Sequence, residues 1–156
     1  MTKLTGGCHC RNIRIEFDTN VAPANFEPRA CQCSFCRKHQ SRAISDPNGR
    51  LWIAVANGDL LSRYQFAMKS IEFLICRECG VYVAGFMPDP TDTQAFATLM
   101  ISALDERERF PQPVAKNYDD QAREDRAERR RKVRTPATLT CAVARRFAAQ
   151  LSQSDR

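Results

Sequence analysis

Cys31-Gln32-Cys33-Ser34-Phe35-Cys36 places three thiols within six residues, in the order C-x-C-x-x-C, with Arg37, Lys38 and His39 directly after them. A thiolate is a soft ligand that suits zinc, at a Zn–S distance of ~2.3 Å. In an extended chain, residues i and i+2 face the same side, and C-x-x-C is the spacing of a tight zinc turn. Three thiolates this close repel one another unless a cation sits between them. Three protein ligands leave one tetrahedral position of zinc open, which is the mark of a catalytic rather than a structural site.

A second set of thiols lies at Cys8-His9-Cys10 and at Cys76-Arg77-Glu78-Cys79-Gly80. Neither pair alone can close a structural zinc, but together they supply four ligands. The simplest allocation that uses all seven thiols puts Cys8, Cys10, Cys76 and Cys79 on one zinc and Cys31, Cys33 and Cys36 on another. Ligand spacing also fits a different sharing, a pair of purely structural zincs, or one zinc with spare core cysteines. His9 lies between two ligands, and its ring is expected to point away from them. His39 stands three residues past Cys36, where a helical turn would let it complete the triple; otherwise it is a proton carrier or a surface residue.

The elements that must position these thiols are mostly strands. Ile13, Ile15 and Phe17 alternate with Arg14 and Glu16, as in a half-buried strand leaving the first pair. Residues 20–29, with Pro23 and Pro28, read as loop. Asp46-Pro47-Asn48-Gly49 is a turn, residues 51–55 a strand, Asn57-Gly58-Asp59 a second turn and residues 62–66 a partner strand. Residues 71–75 form a strand running into Cys76; Gly80 lets the chain turn with positive φ, and residues 81–86 lead out. This strand–knuckle–strand layout is that of a zinc ribbon. Pro88-Asp89-Pro90 breaks the sheet, and residues 97–101 read as a last strand. Trp52, Phe73 and Phe86 are expected in the core.

The three cysteine segments, with their flanks Gly6-Gly7-Cys8-His9-Cys10, Cys31 to Lys38 and Cys76 to Gly80, resemble the three signatures of the glutathione-dependent formaldehyde-activating enzyme family, which also includes centromere protein V. Order, spacing and flanking residues match over about the first hundred residues. The resemblance implies a mainly β, Mss4-like fold: several coiled β-sheets around zinc-ribbon knuckles, here followed by C-terminal helical segments. It also implies a structural zinc on Cys8, Cys10, Cys76 and Cys79 and a catalytic zinc on Cys31, Cys33 and Cys36. The family usually has glycine after the second cysteine of the first motif, where this chain has Arg11. The aromatic-rich stretch near the end of the family's core is replaced by Val114 to Asp120.

Composition sets the remaining bounds. The 156 residues suffice for one domain with a modest core. No apolar run approaches a membrane span and no apolar segment precedes Gly7, so a reducing, cytoplasmic setting with metal-bound thiolates is the expectation for the eight cysteines. The formal charge is +6, but residues 1–100 hold 11 Lys+Arg against 9 Asp+Glu, whereas residues 101–156 hold 13 against 9. The basic character belongs to the C-terminal part. The expected organisation is a zinc-binding β domain over residues 1–118 and a basic helical extension over 119–156.

In that extension Asp119–Arg123, Asp125–Arg129 and Glu128–Lys132 stand at i,i+4 with the acid first, the pattern of a solvated, salt-bridged helix. Arginines without interleaved aromatics do not favour nucleic acid. Thr135-Pro136 ends the run. Val143, Phe147 and Leu151, with Ala144 and Ala148, form an apolar stripe at helical spacing that fits packing on the domain or across a homodimer. Cys141 is expected to be a buried or semi-buried lone thiol.

The function expected is a zinc-dependent carbon–sulfur lyase acting on adducts of a small, glutathione-like thiol and an aldehyde, with two zinc ions per chain. The alternative is a non-catalytic, zinc-stabilised binding module, since the fold's namesake is a chaperone-like partner of small GTPases.

Overall fold

Alternation decides the central strands. In the computed structural model, which describes residues 1–88 and 94–142, β1 (Thr2–Gly7) pairs antiparallel with β2 (Ile13–Thr19). Ile13, Ile15 and Phe17 are fully buried while Arg14 and Glu16 face solvent, as their spacing requires. β2 then pairs with β5 (Arg50–Val55), whose Leu51, Ile53 and Val55 point into the same core. The opposite face of β5 carries Trp52, which is 36% exposed; the strand's period of two places it outside the core expected for it.

β3 (Arg29–Cys31) leads into the short helix α1 (Ser34–Lys38), and β4 (Ala43–Ile44) follows it. β6 (Leu61–Tyr64), β7 (Glu72–Cys76), β8 (Tyr82–Met87) and β9 (Ala95–Met100) form an antiparallel series, so the expected strand–knuckle–strand unit is β7–β8. β9 also pairs with β4 and thereby ties this series to the strand that carries Cys31. Among the described residues the strands make one branched, mixed sheet, mainly β as expected.

β9 is not the last strand. β10 (Val114–Lys116) runs parallel to β3, and β11 (Thr135–Cys141) lies between β5 and β9, beyond residue 118, where charge had suggested a helical extension. Pro136 argues against a central strand, because it lacks a ladder N–H. The conflict is resolved by stagger: residues 135–137 pair with β9 and residues 137–141 with β5, so both flanks are paired only at Ala137. Cys141, at the end of β11, is exposed rather than buried.

α2 (Arg123–Val133) precedes β11. It is built from strong helix formers, with Glu124 and Asp125 in the first turn and Arg130, Arg131 and Lys132 in the last, which complements the helix dipole. No helix among the described residues is long and apolar enough to cross a membrane. Asp89, Pro90 and the apolar stripe from Val143 to Leu151 lie outside the described residues.

Candidate metal centres and the adjoining cavity

The seven thiols fall into two groups, Cys8, Cys10, Cys76 and Cys79 in one and Cys31, Cys33 and Cys36 in the other, and within each the sulfurs lie within 4.8 Å of one another. In the first group Cys8 Sγ is 3.6 Å from Cys10 Sγ, which is 3.5 Å from Cys76 Sγ. Tetrahedral zinc with Zn–S of ~2.3 Å needs sulfurs ~3.8 Å apart, so the group matches the donor set and size of a zinc site. Both groups could hold a metal ion.

Backbone turns create the first group. The Arg11 N–H donates to Cys8 O (3.1 Å) and the Cys8 N–H to Ile13 O (2.9 Å), closing a tight turn between β1 and β2. Arg11 sits there at φ 65°, in the left-handed region that glycine tolerates better. The second half is a knuckle in which the Gly80 N–H donates to Cys76 O (2.9 Å) and Gly80 has φ 76°. The Ile13 N–H also donates to Cys8 Sγ at 3.2 Å. Burial pushes the Cys8 thiol up to about 12, so this sulfur needs a cation to be a thiolate at neutral pH. His9 is exposed and is not one of the group.

The triple is assembled locally. Cys31 ends β3, Cys33 caps α1 and accepts from the Cys36 N–H at 3.4 Å, and Cys36 is buried on the helix. Hydrogen bonds from Cys31 and then Cys36 pull Cys33 down, while the same contacts with Cys31 and Cys33 push Cys36 up. Without a cation the cluster does not hold three thiolates. His39 caps the end of α1, but its ring lies 4.4 Å from the Phe35 ring, and it is not one of the group of donor atoms.

The triple borders a cavity of about 260 Å³. Phe66, Ile71, Phe73, Tyr82 and Met100 form an apolar side of it. Phe73 therefore serves both core and cavity, with its ring centroid 4.3 Å from that of Phe35, whereas Phe86 lies in the core alone. Tyr82 is 6% exposed, and burial holds its phenol well above the usual tyrosine range, so it is a neutral hydrogen-bond donor.

The other side of the cavity is basic, and the spacing of charges did not reveal it. Of the three i,i+4 pairs expected on α2, only Glu128–Lys132 forms among the described residues, at 2.6 Å. Arg126, Arg129, Arg130 and Arg134 turn inward or reach back along the chain. Arg126 donates to Gln121 O and Asp119 O, and Arg129 donates to Gln121 Oε1 while stacking 3.9 Å from the Tyr118 ring centre. Arg130 donates to Ser70 Oγ at 2.7 Å, and Arg134 to Gly85 O at 3.5 Å. Helix periodicity alone does show that 126, 130 and 133–134 share a face; nothing local says what that face meets.

A solved crystal structure of a Rhodobacter sphaeroides protein is similar to this chain, with a TM-score of 0.52 and 25% sequence identity, covering 72% of this chain and 99% of the other. Residues 3–121 match the family described as glutathione-dependent formaldehyde-activating enzyme. That match takes in both cysteine groups and most of the strands that carry them, and the chain belongs to this family.

Proposed function

We propose that the chain is a zinc-dependent carbon–sulfur lyase acting on adducts between a small, glutathione-like thiol and an aldehyde. The supporting observation is an asymmetry: Cys31, Cys33 and Cys36 border the cavity, and none of Cys8, Cys10, Cys76 and Cys79 does. On this reading the four-cysteine group would hold a structural zinc and the triple a catalytic one. Zinc in the triple would supply a Lewis acid that lowers the pKa of a substrate hydroxyl.

The chain's own residues have distinct tasks. Cys31, Cys33 and Cys36 serve as ligands rather than nucleophiles. Tyr82 offers a neutral phenol at the cavity wall to hydrogen-bond the adduct's oxygen. Phe66, Phe73 and Met100 keep water from the reacting carbon. The adduct's hydroxyl gives up its proton, the C–S bond breaks with its electron pair leaving on sulfur, the C–O bond becomes the aldehyde carbonyl, and the departing thiolate takes up a proton from solvent in place of the one released, so the products are thiol and aldehyde. The reverse sequence builds the adduct. Seven thiols kept as metal ligands suit a reducing, cytoplasmic setting.

The test combines metal analysis with exchange kinetics. Protein purified without added metal should contain two zincs, and extended X-ray absorption should give fewer than four sulfurs per metal on average. NMR exchange spectroscopy with thiols and formaldehyde should show adduct exchange faster than in buffer. Four-sulfur shells at both metals and no acceleration for any pair would replace the enzyme by a zinc-stabilised binding module.

A further inference from the structure

α2 begins at Arg123, just past the segment that matches the family, yet it completes the cavity. Arg126, Arg129, Arg130 and Arg134 line it from the helix side and Arg29 from β3; Asp119 is the one carboxylate among the lining residues. Among the described residues none of these five guanidinium groups is ion-paired. Arg29 donates to Ser45 Oγ (2.8 Å) and Thr98 Oγ1 (3.0 Å), and the other four use carbonyls, an amide oxygen and a hydroxyl. Arg130 is only 7% exposed, and its Nε, fully buried, has no partner.

Such a cluster is held against its own repulsion. Burial first, and then the neighbouring guanidinium groups, push Arg130 down to about 10 and Arg134 to about 9, and both stay charged at neutral pH. Five guanidinium groups facing only Asp119 and the thiols of the triple are short of counter-charge, and an anion between them removes both the repulsion and the open donor. At about 260 Å³ the cavity lies near the lower end of the ~300–1,000 Å³ of small-molecule pockets, a size that suits a small ligand. The exposed side of α2 mixes Glu124, Asp125 and Glu128 with Arg123, Arg131 and Lys132, so the unbalanced positive charge lies on the cavity side of the helix.

We infer that α2 makes the cavity a receptor for the anionic end of the substrate's thiol half: a thiol bearing at least two negative groups, carboxylate or phosphate, gripped by Arg29, Arg129, Arg130 and Arg134 with its sulfur toward Cys31, Cys33 and Cys36. The identity of the ligand as a thiol rests on the lyase reading; the demand for two negative charges rests on the cavity alone.

The test therefore has a binding arm that needs no turnover. Calorimetry on the zinc-loaded full chain would compare (methylthio)succinate, 3-(methylthio)propionate and 2-(methylthio)ethanol, with two, one and no negative charges, and inorganic phosphate. Each charge should tighten binding by about tenfold, since a hydrogen-bonded charge gained is worth that much, and salt should weaken it. Tighter binding of phosphate than of the dicarboxylate would assign the negative groups to phosphate; the opposite order would assign them to carboxylates. Arg130→Gln risks misfolding, so Arg129→Gln carries the test: it should lose about tenfold for the two-charge probe and little for the neutral one. Arg123→Gln, exposed and away from the cavity, should match the wild type. In the exchange arm, formaldehyde with mercaptosuccinate should outpace formaldehyde with 2-mercaptoethanol. Equal affinity for the three thioethers, or unchanged preference in Arg129→Gln, overturns the inference even if exchange is catalysed. Charge-selective binding without any exchange upholds it and sinks the lyase reading instead.

Discussion

The four-cysteine group joins two turns of the sheet that are 66 residues apart at its Cys10–Cys76 contact, whereas the three-cysteine group is built from a six-residue stretch on a strand end and a short helix. A metal in the first closes a long loop, so its binding free energy becomes folding free energy. A metal in the second closes almost nothing that the chain has not already closed. The triple borders a cavity and, among the described residues, groups three donor atoms where the first group has four. On the proposed reading, the same thiol chemistry would serve stability where the ligands are distant and reaction where they are local.

The largest test of that contrast is a pair of ligand substitutions. Cys76→Ser should aggregate or melt well over ~10 °C early, because structural zinc carries on the order of 10 kcal/mol in small zinc domains. Cys36→Ser should melt within a few degrees of wild type, contain one zinc fewer and show adduct exchange at the buffer rate. Equal melting temperatures for the two variants would abolish the distinction.

Next in size is Phe73→Ala. Phe73 is 6% exposed and packs its ring 4.3 Å from Phe35 behind the triple, so truncation should cost ~3–4 kcal/mol by chemical denaturation and also slow exchange. Trp52→Ala, on the outer face of β5, should cost under ~1 kcal/mol and leave exchange unchanged. Comparable losses in both would show that the aromatic side chains near the triple have no special place.

A smaller effect of opposite sign is expected in the turn of the four-cysteine group. Arg11 at φ 65° is strained by ~1–2 kcal/mol, which Arg11→Gly relieves at an unfolded-state cost of ~0.4–1 kcal/mol. The variant should melt ~1–3 °C higher with both metals in place. A lower melting temperature would mean that the arginine side chain holds the turn by contacts of its own. The smallest effect is that of Cys141→Ser, which should retain two zincs and the wild-type melting temperature, since this exposed thiol belongs to neither group.

Residue type and spacing by themselves determined the seven thiols, their division into a triple and two pairs, the strands around Ile13–Phe17, Leu51–Val55 and the knuckle from Cys76 to Gly80, and the family. Each of these is a local signal: alternation sets a strand's buried face, and a close cysteine spacing sets a metal turn. What tertiary structure decided is what meets what. The i,i+4 charges of α2 promised a solvated helix, but an exposed helix ion pair is worth only ~0.3–0.5 kcal/mol, and Arg129 stacks on Tyr118 and donates to Gln121 instead of pairing with Asp125, while Arg130 and Arg134, in none of those pairs, reach Ser70 and Gly85. Strand β11 escaped notice because Pro136 lowers its β signal, and only the stagger of its two neighbours makes room for that proline. The arginine-lined cavity is the joint product of both, since β11 anchors in the sheet the helix that brings the guanidinium groups to the thiols. That juxtaposition depends on contacts between residues far apart in the chain, as between Arg130 and Ser70, and no periodicity within a single segment encodes it.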